Sequence, residues 1–262
     1  MIALSDSRVR LEIDGSLAII TLCRPEKLNA LDRPMVAALA EAADRIEREE
    51  SARVAILTGE GNKAFSAGGD IAAWADEPPS AFHRRWIRDG HRAFDALARL
   101  RVPLIAVLNG HALGGGLELA ATADIRIAES HVRIGLPETT LGMVPGWSGT
   151  QRLVRRFGSQ AVRRMSLGAE IFSACQAHTL GLVDAVAATG EGMANARARA
   201  MRIAVCGPIA IETVKLLINA AEQEEASAAV EAMAGGLIAR TQDLREGVTA
   251  FREKRPAVFE GA

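Results

Sequence analysis

Asn109-Gly-His-Ala-Leu-Gly-Gly-Gly-Leu-Glu-Leu-Ala120 is the stretch around which this chain is organised. Pro103 precedes a six-residue, mainly apolar run, Leu104 to Asn109, that predicts a buried strand, and the glycines after it predict a helix running through Ala121. With no Cβ at Gly114, Gly115 and Gly116, a ligand can approach the main chain closely, and the unpaired N–H groups of the helix's first turn face it. That end of a helix is partly positive. It can hold an anion, or an oxygen that becomes anionic only during reaction, and it favours a carboxylate at Glu118. Tight packing of helix on strand also uses glycine, and from this stretch alone both readings stand.

The 262 residues are 49% hydrophobic, enough to bury one large domain or one domain with a smaller appendage. A formal net charge of -1 supplies no global basic field for nucleic acid or an anionic membrane surface, so neither is an expected partner. An anionic ligand therefore needs a local site. Cys23, Cys175 and Cys206 are odd in number and scattered, which fits a reducing compartment and a cytoplasmic location. The N-terminus lacks the pattern of a secretory signal, and no apolar run approaches about 18 residues. Tyrosine is absent, so no phenol can donate a proton.

Taken in order, Val9 to Ile13 and Leu17 to Leu22 flank Asp14-Gly15-Ser16 and predict a β-hairpin. Asp32 can cap a helix reaching about Glu50, and Val54 to Thr58 completes a βαβ-like unit. Gly59-Glu-Gly-Asn-Lys-Ala64 matches a dinucleotide fingerprint in form only. A second small-residue loop, Phe65-Ser-Ala-Gly-Gly-Asp70, follows where that motif needs a helix. Ala81 to Leu100 predicts a helix whose His83, Arg84, Arg85, Arg88 and Arg92 make either a solvated face or a phosphate-binding one. Short strands are expected at Asp124 to Ala128 and His131 to Gly135, then a glycine-rich loop from Gly142 and an arginine-bearing helix. From Ser159 the pattern is helical, with a capping box at Ser173 and Gln176, a break at Pro208, and one last strand at Leu182 to Val186. The Ala-rich tail from Ala226 has no core of its own and needs another surface to cover.

The histidines at 83, 91, 111, 131 and 178 show no metal-ligand spacing, so no metal is expected. Serine-hydrolase and P-loop signatures are also missing. What remains is a pair of carboxylates, Glu118 and Glu138, each beside glycine-rich backbone. Apolar neighbours desolvate a glutamate and raise its pKa toward neutrality, which suits it to proton transfer, and two such groups can share one water. Equally, Glu118 can simply complement a helix dipole and Glu138 can pair with an arginine. A glycosidase reading of the two acids lacks the aromatic platforms that sugars need.

Read together, several segments resemble the enoyl-CoA hydratase/isomerase, or crotonase, superfamily: Arg24 to Leu31, Phe65 to Asp70, Asn109 to Ala120, Pro137-Glu138 with Leu141-Gly142, Pro145 to Leu153, Ala177 to Val183, and Arg245 to Arg255. The resemblance implies an α/β fold, a crotonase-like spiral of ββα repeats in residues 1–200, with a C-terminal helical trimerisation region in residues 201–262. It implies a homotrimer or a homohexamer built as a dimer of trimers. Its substrate would be an acyl-CoA thioester, so coenzyme A arrives as part of the substrate and no separate cofactor is expected. The thioester carbonyl would be held in an oxyanion hole at Gly69 and Gly115. Ala67 would lie near the adenine, Asp70 and Ile71 would line the thioester, and Lys27, Phe251 and Lys254 would be substrate-binding at the nucleotide end.

With both acids present, the resemblance points to a lyase of fatty acid β-oxidation, an enoyl-CoA hydratase adding water reversibly to a trans-2-enoyl-CoA. Glu118 would assist water at Cβ and Glu138 would supply the proton at Cα. Alternatives are an isomerase, a dehydratase or lyase for an unusual acyl-CoA, and a non-catalytic CoA- or RNA-binding homologue. The chain departs from the usual pattern at Trp147 and Ser148, where small residues are common, and Gly69 replaces a frequent alanine. Trp147 either narrows the acyl pocket or packs behind it, and the span Ile71 to His91, with Trp74 and Trp86, resembles no specific member and is where acyl preference is expected to be set.

Overall fold

The computed structural model describes residues 2–262, and of Pro79 and residues 226–229 the backbone alone. The chain divides into two compact units, Met1–Lys215 and Leu216–Ala262. The change of texture expected near residue 200 falls inside a helix of the first unit.

In the first unit, β1 (Val9–Asp14) and β2 (Leu17–Leu22) form the expected hairpin, and α1 (Arg33–Arg48) leads to β3 (Val54–Gly59) and β4 (Ala64–Ser66). The helical stretch α2 (Pro79–Ala81), a π-helical segment Phe82–Ile87 and α3 (Arg88–Ala98) come next. Then follow β5 (Leu104–Leu108), β6 (His111–Leu113), α4 (Gly115–Ala120), β7 (Ile125–Glu129) and β8 (Arg133–Gly135). The unit continues with α5 (Gln151–Phe157), α6 (Ser159–Gly168), β9 (Ile171–Ser173), α7 (Ala174–Thr179), β10 (Ala185–Ala187) and α8 (Gly192–Ala204). Pro208 starts α9 (Pro208–Ala221), as its missing N–H allows, and this helix runs across the division between the units.

Two sheets result, with strand orders β1-β2-β3-β5-β7-β10 and β4-β6-β8-β9. The strand pairs β3/β4, β5/β6 and β7/β8 each send their first strand to the larger sheet and their second to the smaller one. All pairings among these six strands are parallel, so the chain advances as a spiral of two strands and a helical connection. The central strands are apolar throughout because both faces of the larger sheet are covered. Along β3, Ala55 and Leu57 enter one buried cluster while Val54 and Ile56 enter another with Ala196 and Ala200 of α8. Alternation therefore vanishes, which is why these strands read as continuous apolar runs.

Local chemistry fixes the helix ends. Asp32 Oδ1 accepts the N–H of Met35 at 3.1 Å, capping α1, while Ser173 and Gln176 form the expected capping box on α7. At α4 the constraint is steric. A Cβ on Gly116 would lie 2.1 Å from the carbonyl oxygen of Ser66, so only glycine lets this helix start directly against β4.

The second unit contains α10 (Ala226–Ile238) and α11 (Gln242–Glu253), the latter capped by Thr241, whose hydroxyl accepts the N–H of Leu244. Val230, Leu237, Ile238 and Phe251 are exposed, matching a helical tail that builds no core of its own.

Gly116→Ala is expected to lower stability by about 1–3 kcal/mol, the usual penalty of overpacking. A drop in the urea midpoint at unchanged m-value checks it. An unaltered midpoint would mean that the α4 start is free to move away from Ser66.

Candidate functional site

The three glycines at the start of α4 answer to three different neighbours, and the two readings of them divide accordingly. Gly116 is the packing glycine. At Gly114, with φ +53°, a Cβ would come 2.9 Å from Glu138 Oε1, and at Gly115 it would come 2.9 Å from the Trp147 ring. Gly114 and Gly115 thus admit functional side chains to the main chain, and only Gly116 serves helix-on-strand contact alone.

Glu118, one turn along α4, is buried with 2% of its surface exposed. Its Oε1 accepts the backbone N–H groups of Trp147 and Gly149, each at 2.7 Å. The amides that hold this carboxyl therefore come from the loop between Glu138 and α5, and the expected complement to its own helix dipole is not the main contact. Gly149 is needed there, since a Cβ would sit 2.5 Å from Glu118 Oε1. Between the two donors, Ser148 takes φ +73°, a left-handed conformation that costs a side-chain-bearing residue about 1–3 kcal/mol. It is held by a 2.9 Å hydrogen bond between its Oγ and His91 Nδ1 of α3. Burial raises Glu118 from 4.5 to about 7; the Trp147 and Gly149 N–H groups oppose that rise and the nearby Glu138 charge adds to it.

Glu138 opens the short 3-10 turn Glu138–Leu141 that leaves β8 through Pro137. Its Oε2 is buried with no hydrogen-bond partner among the described residues, so pairing with an arginine is not what the structure shows. Burial raises its pKa as well. Both carboxyls line one cavity of ≈ 610 Å³ including its mouth.

The same cavity gathers Ala67, Gly69, Ile71 and Gly115 from the residues the sequence singled out. Gly69 pairs with Leu31 in a parallel bridge in which the bonds run from Leu31 N–H to Gly68 O and from Asp70 N–H to Leu31 O. That pattern turns the Gly69 N–H away from Leu31. Gly68, at φ +95°, brings this loop against the start of α4: a Cβ on it would lie 2.9 Å from Gly115 N. Amide-bearing turns from two separate loops therefore meet at the cavity wall.

Asp70 falls outside the cavity lining, and its carboxylate pairs with Arg24 at 2.8 Å. Lys27 is exposed on the turn Pro25–Lys27 and is not part of the lining. Phe251 and Lys254 belong to the second unit, where Phe251 is 85% exposed and Lys254 ends α11 in a left-handed conformation. The charged residues His83, Arg84, Arg85, Arg88 and Arg92 are all exposed, while Trp86, Gly90, Ala93 and Phe94 are buried. Among the described residues, no group of three or more His, Cys, Asp or Glu could hold a metal ion.

Sequence reading missed the Trp147 and Gly149 amides and the cavity residue Met143. The available signal for the amides was the glycine pair bracketing Trp147-Ser148 in a loop ahead of a helix.

The family model of enoyl-CoA hydratase/isomerase matches residues 12–262 of this chain. A crotonyl-CoA hydratase of Syntrophomonas wolfei is 36% identical over 251 residues, 95% of this chain and 96% of that protein. A short-chain-enoyl-CoA hydratase of Clostridium acetobutylicum is 38% identical over 251 residues, with the same coverage of 95% and 96%. Among solved structures, an enoyl-CoA hydratase from Bacillus anthracis superposes with a TM-score of 0.80 at 32% identity, covering 98% of this chain and all of that one.

The position of Glu118 has a consequence for stability. Its folded-state pKa of about 7 lies above the ordinary 4.5, so the native state binds this proton more tightly than the unfolded chain. The stability it contributes is present at low pH and is lost as pH rises through that window. Glu118→Gln, which keeps an acceptor for both amides and never ionises, is expected to remove this slope and to be more stable than the parent above pH 7. Urea midpoints of both proteins at the two ends of the window test this. Parallel curves would mean that the carboxyl ionises at no cost.

Proposed function

Since this chain belongs to the enoyl-CoA hydratase/isomerase family, we propose that it adds water reversibly across the double bond of a trans-2-enoyl-CoA to give a 3-hydroxyacyl-CoA. The observation that carries the reading is the convergence of the buried Glu118 and the half-buried Glu138 on one cavity whose wall contains the glycine turns at 69 and 115. Their relatives' names, crotonyl-CoA hydratase and short-chain-enoyl-CoA hydratase, point the same way.

In this reading the thioester carbonyl takes the N–H groups of Gly69 and Gly115. As hydroxide character develops at Cβ, charge moves to that oxygen as an enolate, and the two fixed amides stabilise it where it forms. Loss of one such donor costs about 10²- to 10³-fold in rate. The attacking water sits between the carboxyls. Glu118, with two amides already aimed at its charge, takes a proton from the water as the C–O bond forms. Glu138, whose Oε2 has no other partner, delivers a proton to Cα. The water is thereby split with its oxygen on Cβ and a hydrogen on Cα, and proton return between the two acids restores the starting state. Two coupled carboxyls share one proton over a range of pH, as both directions of the reaction require.

All of these transfers are carried by the chain's own groups, so the proposal routes no step through a resident cofactor. Self-association into a trimer or hexamer belongs to the same proposal, supported by the exposed Val230, Leu237, Ile238 and Phe251 of the second unit. Fatty acid β-oxidation is the metabolic setting that fits this reaction.

Hydration bleaches the conjugated enoyl thioester, so crotonyl-CoA is expected to lose its absorbance in the presence of this protein. Glu118→Gln and Glu138→Gln should each reduce kcat by about 10²- to 10⁴-fold, the usual worth of one general acid or base. Retained turnover in both variants, or migration of a double bond without hydration, would overturn the proposal.

A further inference from the structure

Behind each of the two glycines assigned to the carbonyl stands an indole ring. A Cβ on Gly69 would meet Trp86 Cζ2 at 2.8 Å, and one on Gly115 would meet Trp147 Cζ3 at 2.9 Å. Each ring edge thus occupies the volume that a side chain would claim at these positions. The two rings are packed on each other with centroids 4.8 Å apart, and Trp147 also rests edge-on against Phe94 at 5.1 Å. Trp147 Nε1 donates to the backbone oxygen of Trp86 at 3.1 Å, which sets the orientation of its indole. Gly90 makes room for it: a Cβ there would lie 2.0 Å from Trp147 Nε1. Trp86 is 4% exposed and Trp147 2%, so neither ring can swing into solvent without opening the core.

A thioester held at Gly69 and Gly115 has two arms. The coenzyme arm is long and phosphorylated and must leave by the open mouth. The acyl arm is apolar and suits the apolar part of the cavity, whose lining includes Trp86 and Trp147, the rings packed behind Gly69 and Gly115. We propose that Trp86 and Trp147 close the acyl subsite and restrict this enzyme to short acyl chains. The inference rests on the hydratase reading for which atoms lie where, but it concerns fit and can be read without turnover.

Calorimetric titration with butyryl-CoA and octanoyl-CoA measures the restriction directly. The parent protein is expected to bind butyryl-CoA at least about tenfold more tightly, since a single unaccommodated methylene discriminates by about 10- to 200-fold. Trp147→Leu, which keeps the loop amides and an apolar side chain, should shift that ratio about tenfold or more toward octanoyl-CoA, with kcat/KM for the corresponding enoyl-CoA substrates following. Trp86→Leu is a second variant acting on the same wall, should the first fail to fold. Equal or tighter binding of octanoyl-CoA by the parent, or an unchanged ratio in a folded variant, would overturn the proposal. Absent hydration with the binding preference intact would refute the hydratase reading and leave the steric restriction standing.

Discussion

The site depends on main chain approaching main chain more closely than any side chain would allow. Ser66 O lies where a Cβ of residue 116 would be, and Gly115 N lies 2.9 Å from where a Cβ of residue 68 would be. These contacts join the end of β4 and the loop after it to the start of α4, which lies far along the chain and follows β6, the strand that β4 pairs with. Only after that approach is made do the turns at 69 and 115 open on the same space. The parallel arrangement of β4, β6 and β8 supports it, because it brings the loops leaving three successive repeats to one end of the smaller sheet.

Into this junction the fold places a charge-bearing group that burial opposes. Glu118 is tolerated because Trp147 and Gly149 each present an N–H to it, and because its raised pKa lets it take up a proton when the charge is too costly. Glu138 is treated differently. It has no donor for Oε2 and lies beside Gly114, and burial raises its pKa as well. Two identical side chains thereby acquire unequal surroundings, one with an oxygen held by two loop amides and the other with an oxygen that has no partner. Such inequality is what a reaction needs when it takes a proton at one atom and gives one at another.

Much of this was legible in residues 104–121 because a parallel strand buried on both faces leaves an unbroken apolar run, and glycine repeats mark close approach. The hairpin, the Asp32 cap and the capping box at Ser173 were legible for the same local reasons. Two of the three-residue strands were not: His111–Leu113 was hidden in the glycine-rich stretch, and Ile171–Ser173 was absorbed into a helical texture, whereas Arg133–Gly135 lies within the expected His131 to Gly135. Such strands draw their order from neighbours in the sheet and have too few residues to display a period. The last strand was expected at Leu182 to Val186 and forms at Ala185–Ala187, since pairing with β7 sets its register. Glu118 and Glu138 could be singled out by local context, but the amides at 147 and 149 reach Glu118 across about thirty residues of chain, and no spacing rule connects them. Asp70 shows the converse. It sits in a motif that suggests substrate contact, yet Arg24 has captured its carboxylate.

The loop containing Trp147 also shows how one residue can serve two ends without conflict. Its backbone N–H belongs to Glu118 and its side chain belongs to the wall beside Trp86. The helical segment from Phe82 through Ala98 supports both functions, through the Trp86 carbonyl that anchors the indole, through His91 bonded to Ser148, and through Asp95 paired with Arg152 at 2.7 Å. Because the contact to Glu118 is made by main chain, the side chain at 147 can be replaced without removing it, provided Ser148 and Gly149 keep their backbone conformation. The donors to Glu118 are thus fixed by the path of the chain, and the shape of the cavity wall is left to side chains whose replacement does not move that path.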